Sequence, residues 1–141
     1  MTTKIKLSPK SFLIYYSIIT ITFILLLVLL PHGYWNYIPV IYILIGPITF
    51  GVLYYHFGAQ LNSYTNENHP DLMKKYSIHY GVRKGEVLNQ MDVIQNKKEF
   101  HNRNDKQLSQ LVVLYSQSLK FIAISFASVL FVILRILKMW N

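Results

Sequence analysis

From Ser11 to Asn66 the chain carries no Asp, Glu, Lys or Arg, a run of 56 residues in a chain of 141. A soluble domain of this size cannot hide so long an uncharged, mostly apolar stretch without displaying a large apolar patch. Only 14% of the residues are charged, against about 25% in an ordinary globular domain. All six acidic residues lie between Glu67 and Asp105, and there is no cysteine. These features exclude a soluble enzyme, a disordered tail and a disulfide scaffold. The chain reads as an all-α integral membrane protein.

A helix needs about 20 apolar residues to cross roughly 30 Å of hydrocarbon. The first predicted span is Phe12 to Leu30, stopped by Pro31, His32 and Gly33. Tyr34, Trp35 and Tyr37 follow at the depth where amphipathic rings favour headgroups. The second span, Ile38 to Phe57, begins almost at once and makes a tight helical hairpin with the first. The third has an uncharged centre of only 14 residues, Phe121 to Leu134, bracketed by Lys120 and Arg135. Long basic side chains snorkel, so Leu119 to Leu137 suffices, with Trp140 as an interfacial anchor. The expected organisation is a basic tail (1–11), a transmembrane hairpin (12–57), a helical segment (58–118) and a C-terminal span (119–141).

Orientation follows the Lys and Arg near span ends. Lys4, Lys6 and Lys10, eight basic residues between Gly58 and Ser118, and Lys120 make twelve on one side, against Arg135 and Lys138 on the other. This predicts a cytoplasmic N terminus and middle segment, with the hairpin tip and C terminus outside. The first apolar stretch is longer than the 7–15 residues of a signal peptide core, and Pro31-His32-Gly33 is no small-x-small cleavage site. An uncleaved anchor is expected.

Within the middle segment, Asn62 to Asn68 reads as a turn. His69-Pro70-Asp71-Leu72 reads as a helix start, with Pro in the first turn and Asp at the positive end of the dipole. Gly81 and Gly85 bracket a basic turn with Arg83 and Lys84. Glu86 to Phe100 is expected to be a helix presenting Val87, Leu88, Met91 and Ile94 on one face, a candidate interaction surface. Asn104 and Gln107 fit a capping box. Leu108, Leu111, Val112, Tyr115 and Leu119 form a stripe leading into the last span. A single helix from Asp105 to Met139 would be about 52 Å long at 1.5 Å per residue.

The stretch His69-Pro70-Asp71-Leu72-Met73-Lys74-Lys75-Tyr76, following an apolar span, resembles a segment of small bacterial membrane proteins related to universal stress protein B. Phe100, and Asp105 with Leu108, occupy places similar to that family's aromatic residue and acid-led helix entering a C-terminal span. The likeness covers Gln60 to Leu137. It implies a stress-related bacterial inner-membrane protein with this segment in the cytoplasm. It carries no catalytic residue or cofactor. Those relatives have one span before the segment, where this chain has two.

The sequence offers little for chemistry. His32 and His56 fall at opposite ends of the hairpin, so one chain cannot ligate one haem with both; only a paired His56 from two copies would. His69, His79, Glu99 and His101 match no helical metal-ligand spacing. No glycine-rich phosphate loop or nucleophile elbow occurs, and the acid-free spans oppose a proton relay or coupled transport. No catalytic group, metal or cofactor is expected. The middle segment has eight basic and six acidic groups, too balanced for nucleic-acid binding. Pro39, Gly46, Pro47 and Gly51 predict a kink in the second span. Ala123 and Ala127, with Ser128 beside them, form a small-x-x-x-small pair that suits a close helix, of this chain or of another copy. The functional expectation is a non-enzymatic accessory or stress-related component that binds other membrane proteins or itself. Immunity against a membrane-active toxin is the alternative, and a small transporter a third.

Overall fold

A computed structural model describes residues 8–79 and 86–140. The expected basic turn at Gly81–Gly85, with Arg83 and Lys84, and the tail residues Lys4 and Lys6 lie outside them, as do the side chains of Arg135, Lys138 and Trp140. Among the described residues the fold is helical apart from one small ladder. In order it comprises α1 (Pro9–Leu29), a 3-10 turn (His32–Tyr34), α2 (Tyr37–Ile45), α3 (Pro47–Asn68), α4 (Pro70–Tyr76), β1 (Ser77–His79), β2 (Glu86–Leu88), α5 (Gln90–Gln95), α6 (Lys97–His101) and α7 (Lys106–Trp140). Three stretches are long and apolar enough to cross a membrane: Lys10–Leu29, Tyr37–Asn68 and Lys106–Leu134. The chain divides into two compact units, Met1–Leu53 with Gln117–Asn141, and Tyr54–Ser116.

The first unit is arranged inside out. Most of its aliphatic side chains face outward, Val28 being 76% exposed and Leu29 75%, while Ile19, Ile38 and Val129 turn inward. Its interior is aromatic and partly polar. Phe12, Phe50 and Phe121 stack on one another with centroids 6.1, 6.0 and 5.4 Å apart, and Phe23 meets Tyr42 edge to face at 4.8 Å. Offset and edge-to-face geometries suit the ring quadrupole. Hydroxyls tie the helices together inside this shell. The Ser128 hydroxyl donates to the Ile124 carbonyl at 2.9 Å, which leaves Tyr16 to donate its own proton to Ser128 Oγ at 2.7 Å. Ser125 is fully buried, and its Oγ has no partner among the described residues.

The kink expected in the second span is a complete break. Proline at position 47 has no N–H to return to the Ile43 carbonyl, so the helical ladder stops there. Gly46, at φ −82° and ψ −81°, turns the chain between α2 and α3. A Cβ at Gly46 would sit 3.1 Å from the Tyr42 carbonyl oxygen, closer than side chains are normally held. At the other end of α2, the Trp35 indole N–H donates to the Leu30 carbonyl at 3.0 Å and closes the turn after α1.

The second unit has its own core, in which Phe57, Leu61, Leu72, Met73, Val93, Phe100, Leu108 and Val112 are all buried. Here the local structure corrects the sequence reading at three places. Asn62 to Asn68 is the last part of α3 rather than a turn. Leu61 and Thr65 are buried at helical spacing, and the polar side chains bond along the helix, Ser63 to Glu67 and Asn68 to the Tyr64 carbonyl. Glu86 to Phe100 is not one helix. Glu86–Leu88 pairs antiparallel with Ser77–His79, in the register Ser77–Leu88, Ile78–Val87, His79–Glu86. The Leu88 amide is held by Asn62 Oδ1 at 2.9 Å. Asn89 then caps α5 by accepting the Met91 amide, and the short helices α5 and α6 meet at Asn96. Finally, Asp105 and not Asn104 caps α7. Its Oδ1 accepts the Gln107 and Leu108 amides at 2.9 and 3.1 Å, while Asn104 takes φ +54°, a conformation Asn tolerates better than most residues. The helix start at Pro70 and the single long helix α7 follow the sequence reading.

Candidate functional site

Among the described residues, three ion pairs link side chains of the second unit. Asp105 Oδ2 receives the Tyr64 hydroxyl at 2.8 Å and His69 Nε2 at 2.7 Å. A carboxylate only accepts, so that imidazole nitrogen carries its proton. The hydrogen bond from His69, with those from Leu108, Tyr64 and Gln107, holds the Asp105 carboxyl down at about 2, against an ordinary 3.8. Lys75 donates to both oxygens of Glu99 at 2.9 and 2.8 Å, and the Tyr76 hydroxyl donates to the same carboxylate. These bonds push the Glu99 carboxyl below its usual range. Arg103 reaches Asp71, and His101 meets Ser109. The His-Pro-Asp-Leu cluster that stood out in the sequence is thus a brace. It ties the start of α4 to the start of α7 through His69 and Asp105, and to Arg103 through Asp71.

The second unit also holds an open cavity of about 250 Å³. Its polar walls are Tyr54, Tyr55, Asn62, Gln90 and Tyr115, with Val87, Leu88 and Val93 among the apolar ones. Tyr115, 1% exposed, stacks on Tyr54 at 4.8 Å and 19° between planes. Gly58 admits it: a Cβ there would lie 3.2 Å from Tyr115 Cε2. The Tyr115 hydroxyl donates to that of Tyr54 at 2.8 Å, and Tyr54 donates to Gln90 Oε1. A relay of phenols therefore ends on an amide carbonyl.

The candidate interaction residues separate. Val87 and Leu88 are on β2, with Leu88 buried and Val87 half-buried in the cavity wall. Met91 is 61% exposed and Ile94 half-buried on α5, where Val93 faces the core instead. Four residues expected on one helix face are thus divided between a strand and a helix. Ala123 and Ala127 are both exposed on α7, whereas Phe121, Ser125 and Val129 face inward. The inward face of α7 is offset from both alanines. His32 stacks on Trp35 at 4.0 Å, and His56 Nε2 lies 3.0 Å from Gln60 Nε2. Among the described residues no three His, Asp or Glu side chains gather closely enough to hold a metal ion.

The tyrosine pair escaped the sequence reading, which placed Tyr115 in an apolar stripe. The spacing of Tyr54 and Gly58 puts a ring and a gap one helical turn apart, the one local signal of a nesting site. Its partner, 57 residues beyond Gly58, has no such mark. Compared with protein-family profiles, with curated proteins and with solved structures, the chain finds no match in any of the three.

Proposed function

We propose that this is a non-enzymatic multi-pass protein of a bacterial inner membrane, whose Tyr54–Ser116 unit acts in the cytoplasm by contacting other proteins. The observation that carries the membrane reading is the first unit's exterior, on which most of its large aliphatic side chains stand exposed while hydroxyls are bonded within. Such an exterior suits hydrocarbon, where every polar group needs an internal partner. The excess of Lys and Arg in the N-terminal tail and middle segment supports a cytoplasmic N terminus and an outside C terminus. A reporter fused at Asn141 that is active only in the cytoplasm would overturn that orientation.

The docking reading rests on how the second unit uses its side chains. His69 with Asp105, Lys75 with Glu99 and Arg103 with Asp71 serve as ties between elements. Its exposed large hydrophobics among the described residues are Tyr55, Ile78 and Met91. The resemblance to relatives of universal stress protein B favours a stress-related accessory role. Recovery of the tagged chain from mild-detergent extracts, with mass spectrometry of what accompanies it, tests this. Stoichiometric recovery of a distinct membrane complex, lost on Met91→Glu, supports docking. Recovery of the chain alone from every growth condition refutes it and turns attention to an immunity role, read from toxin sensitivity of cells lacking the protein.

A further inference from the structure

The cavity at Tyr54 and Tyr115 is selective in what it offers a guest. None of its lining residues carries a charge. A phosphate or carboxylate would enter without a counter-ion, and burying an unpaired charge is costly. Two amide side chains line it with their oxygens already engaged: Asn62 Oδ1 by the Leu88 amide, and Gln90 Oε1 by the Tyr54 hydroxyl. The phenolic protons of Tyr115 and Tyr54 are used in the relay. The N–H donors of Asn62 and Gln90, which have no acceptor among the described residues, stand open to a guest, as does the hydroxyl of Tyr55, a side chain 80% exposed. A fitting guest therefore presents acceptors and no charge.

The remaining walls are aliphatic side chains and tyrosine rings, which suit an apolar body. At about 250 Å³ the cavity lies below the roughly 300–1,000 Å³ of sites that enclose a whole drug-sized molecule. It holds a ring or a linkage while the rest of the guest stays outside. We propose that this cavity binds an uncharged, carbonyl-bearing amphiphile, with the carbonyl oxygens on the amides of Asn62 and Gln90. Two sources share that chemistry: the ring of a quinone and the ester region of a neutral acylglycerol. Binding alone is assigned, and it does not depend on the protein contacts proposed above.

The test uses the full chain in detergent micelles with 15N-labelled side-chain amides. The probes are menadione, its anionic sulfonate derivative, and dioctanoylglycerol. Saturable shifts of the Asn62 and Gln90 side-chain signals with menadione or dioctanoylglycerol, and none with the sulfonate, are the expected result. Response to menadione alone identifies a quinone-type guest, and response to dioctanoylglycerol alone an ester-type guest. Gln90→Glu keeps the acceptor for Tyr54 but removes the donors, and should weaken binding about tenfold or more, as loss of a hydrogen bond implies. Ala59→Phe, at an exposed position on the cavity wall, should abolish binding while the other amide signals stay in place. The proposal is overturned if neither neutral probe moves the two signals, if the sulfonate binds equally well, or if Ala59→Phe leaves the affinity unchanged.

Discussion

Asp105 holds four hydrogen bonds at once, and its replacement separates what each pair does. Oδ1 caps α7 through two backbone amides, and Oδ2 receives Tyr64 and His69. Asp105→Ala removes all four. The loss of the cap costs about 1 kcal/mol, and hydrogen bonds to a charged acceptor contribute about 1.5–3 kcal/mol each. His69 and Asp105 are 17% and 19% exposed, so water partly replaces the lost partners, and the low end applies. The expected total is about 4 kcal/mol, about 1 for the cap and about 1.5 for each of the two brace bonds. Asp105→Asn retains one oxygen and can serve the cap or the brace, but not both. It should cost about 3 kcal/mol, the loss of the brace with the cap kept. Thermal and denaturant unfolding of the full chain in micelles measures both. Hydrogen exchange at Gln107 and Leu108 reports the cap separately, accelerating in Asp105→Ala and little in Asp105→Asn. A double-mutant cycle of His69→Ala with Asp105→Asn should give a coupling of about 1 kcal/mol or more. Zero coupling, or an Asp105→Asn variant as stable as the original chain, would refute the brace.

Acid should weaken the same contact. The Asp105 carboxyl titrates at about 2 in the folded chain against an ordinary 3.8. Its contribution, about 2 kcal/mol by proton linkage, is therefore complete above pH 3.8 and is lost as the pH falls through 2. A stability profile that falls less steeply over that window in Asp105→Asn than in the original chain checks it, the remaining fall being that of Glu99 and Asp71. Phe50→Ala, which empties the centre of the ring stack with Phe12 and Phe121, should cost about 3–5 kcal/mol in micelle unfolding. Ser125→Ala should be neutral or stabilising in the same assay, because it removes a buried hydroxyl that has no partner among the described residues.

What could be read from the sequence was whatever depends on hydropathy or on a single backbone rule. The three apolar helices, the interruption at Gly46-Pro47 and the helix start at Pro70 are of that kind. Proline lacks its N–H wherever the chain folds. The segment after Glu86 was illegible for the opposite reason. Val87 and Leu88 satisfy a helical period as well as a strand, and the choice is made by Ile78 across the ladder and by Asn62 on α3. Asn104 and Asp105 are both good caps on sequence grounds. The structure prefers Asp105 because Tyr64 and His69 supply two further donors that only a carboxylate satisfies together. The cavity depends on Tyr54 and Tyr115, which are 61 residues apart, and nothing local marks such a pair.

On the proposed membrane reading, the break between α2 and α3 also constrains how the chain would enter a bilayer during synthesis. Nine residues of α2 extend about 14 Å at 1.5 Å per residue, less than half of a roughly 30 Å hydrocarbon layer. The insertion machinery therefore cannot release α2 to lipid as a segment of its own. It must retain α2 until Pro47 and the first turns of α3 have left the ribosome, or admit it together with α1, to which only a short turn joins it. A ribosome stalled when Gly46 has just cleared its exit tunnel should leave α2 exposed to soluble modifying reagents, whereas one stalled some twenty residues later should protect it.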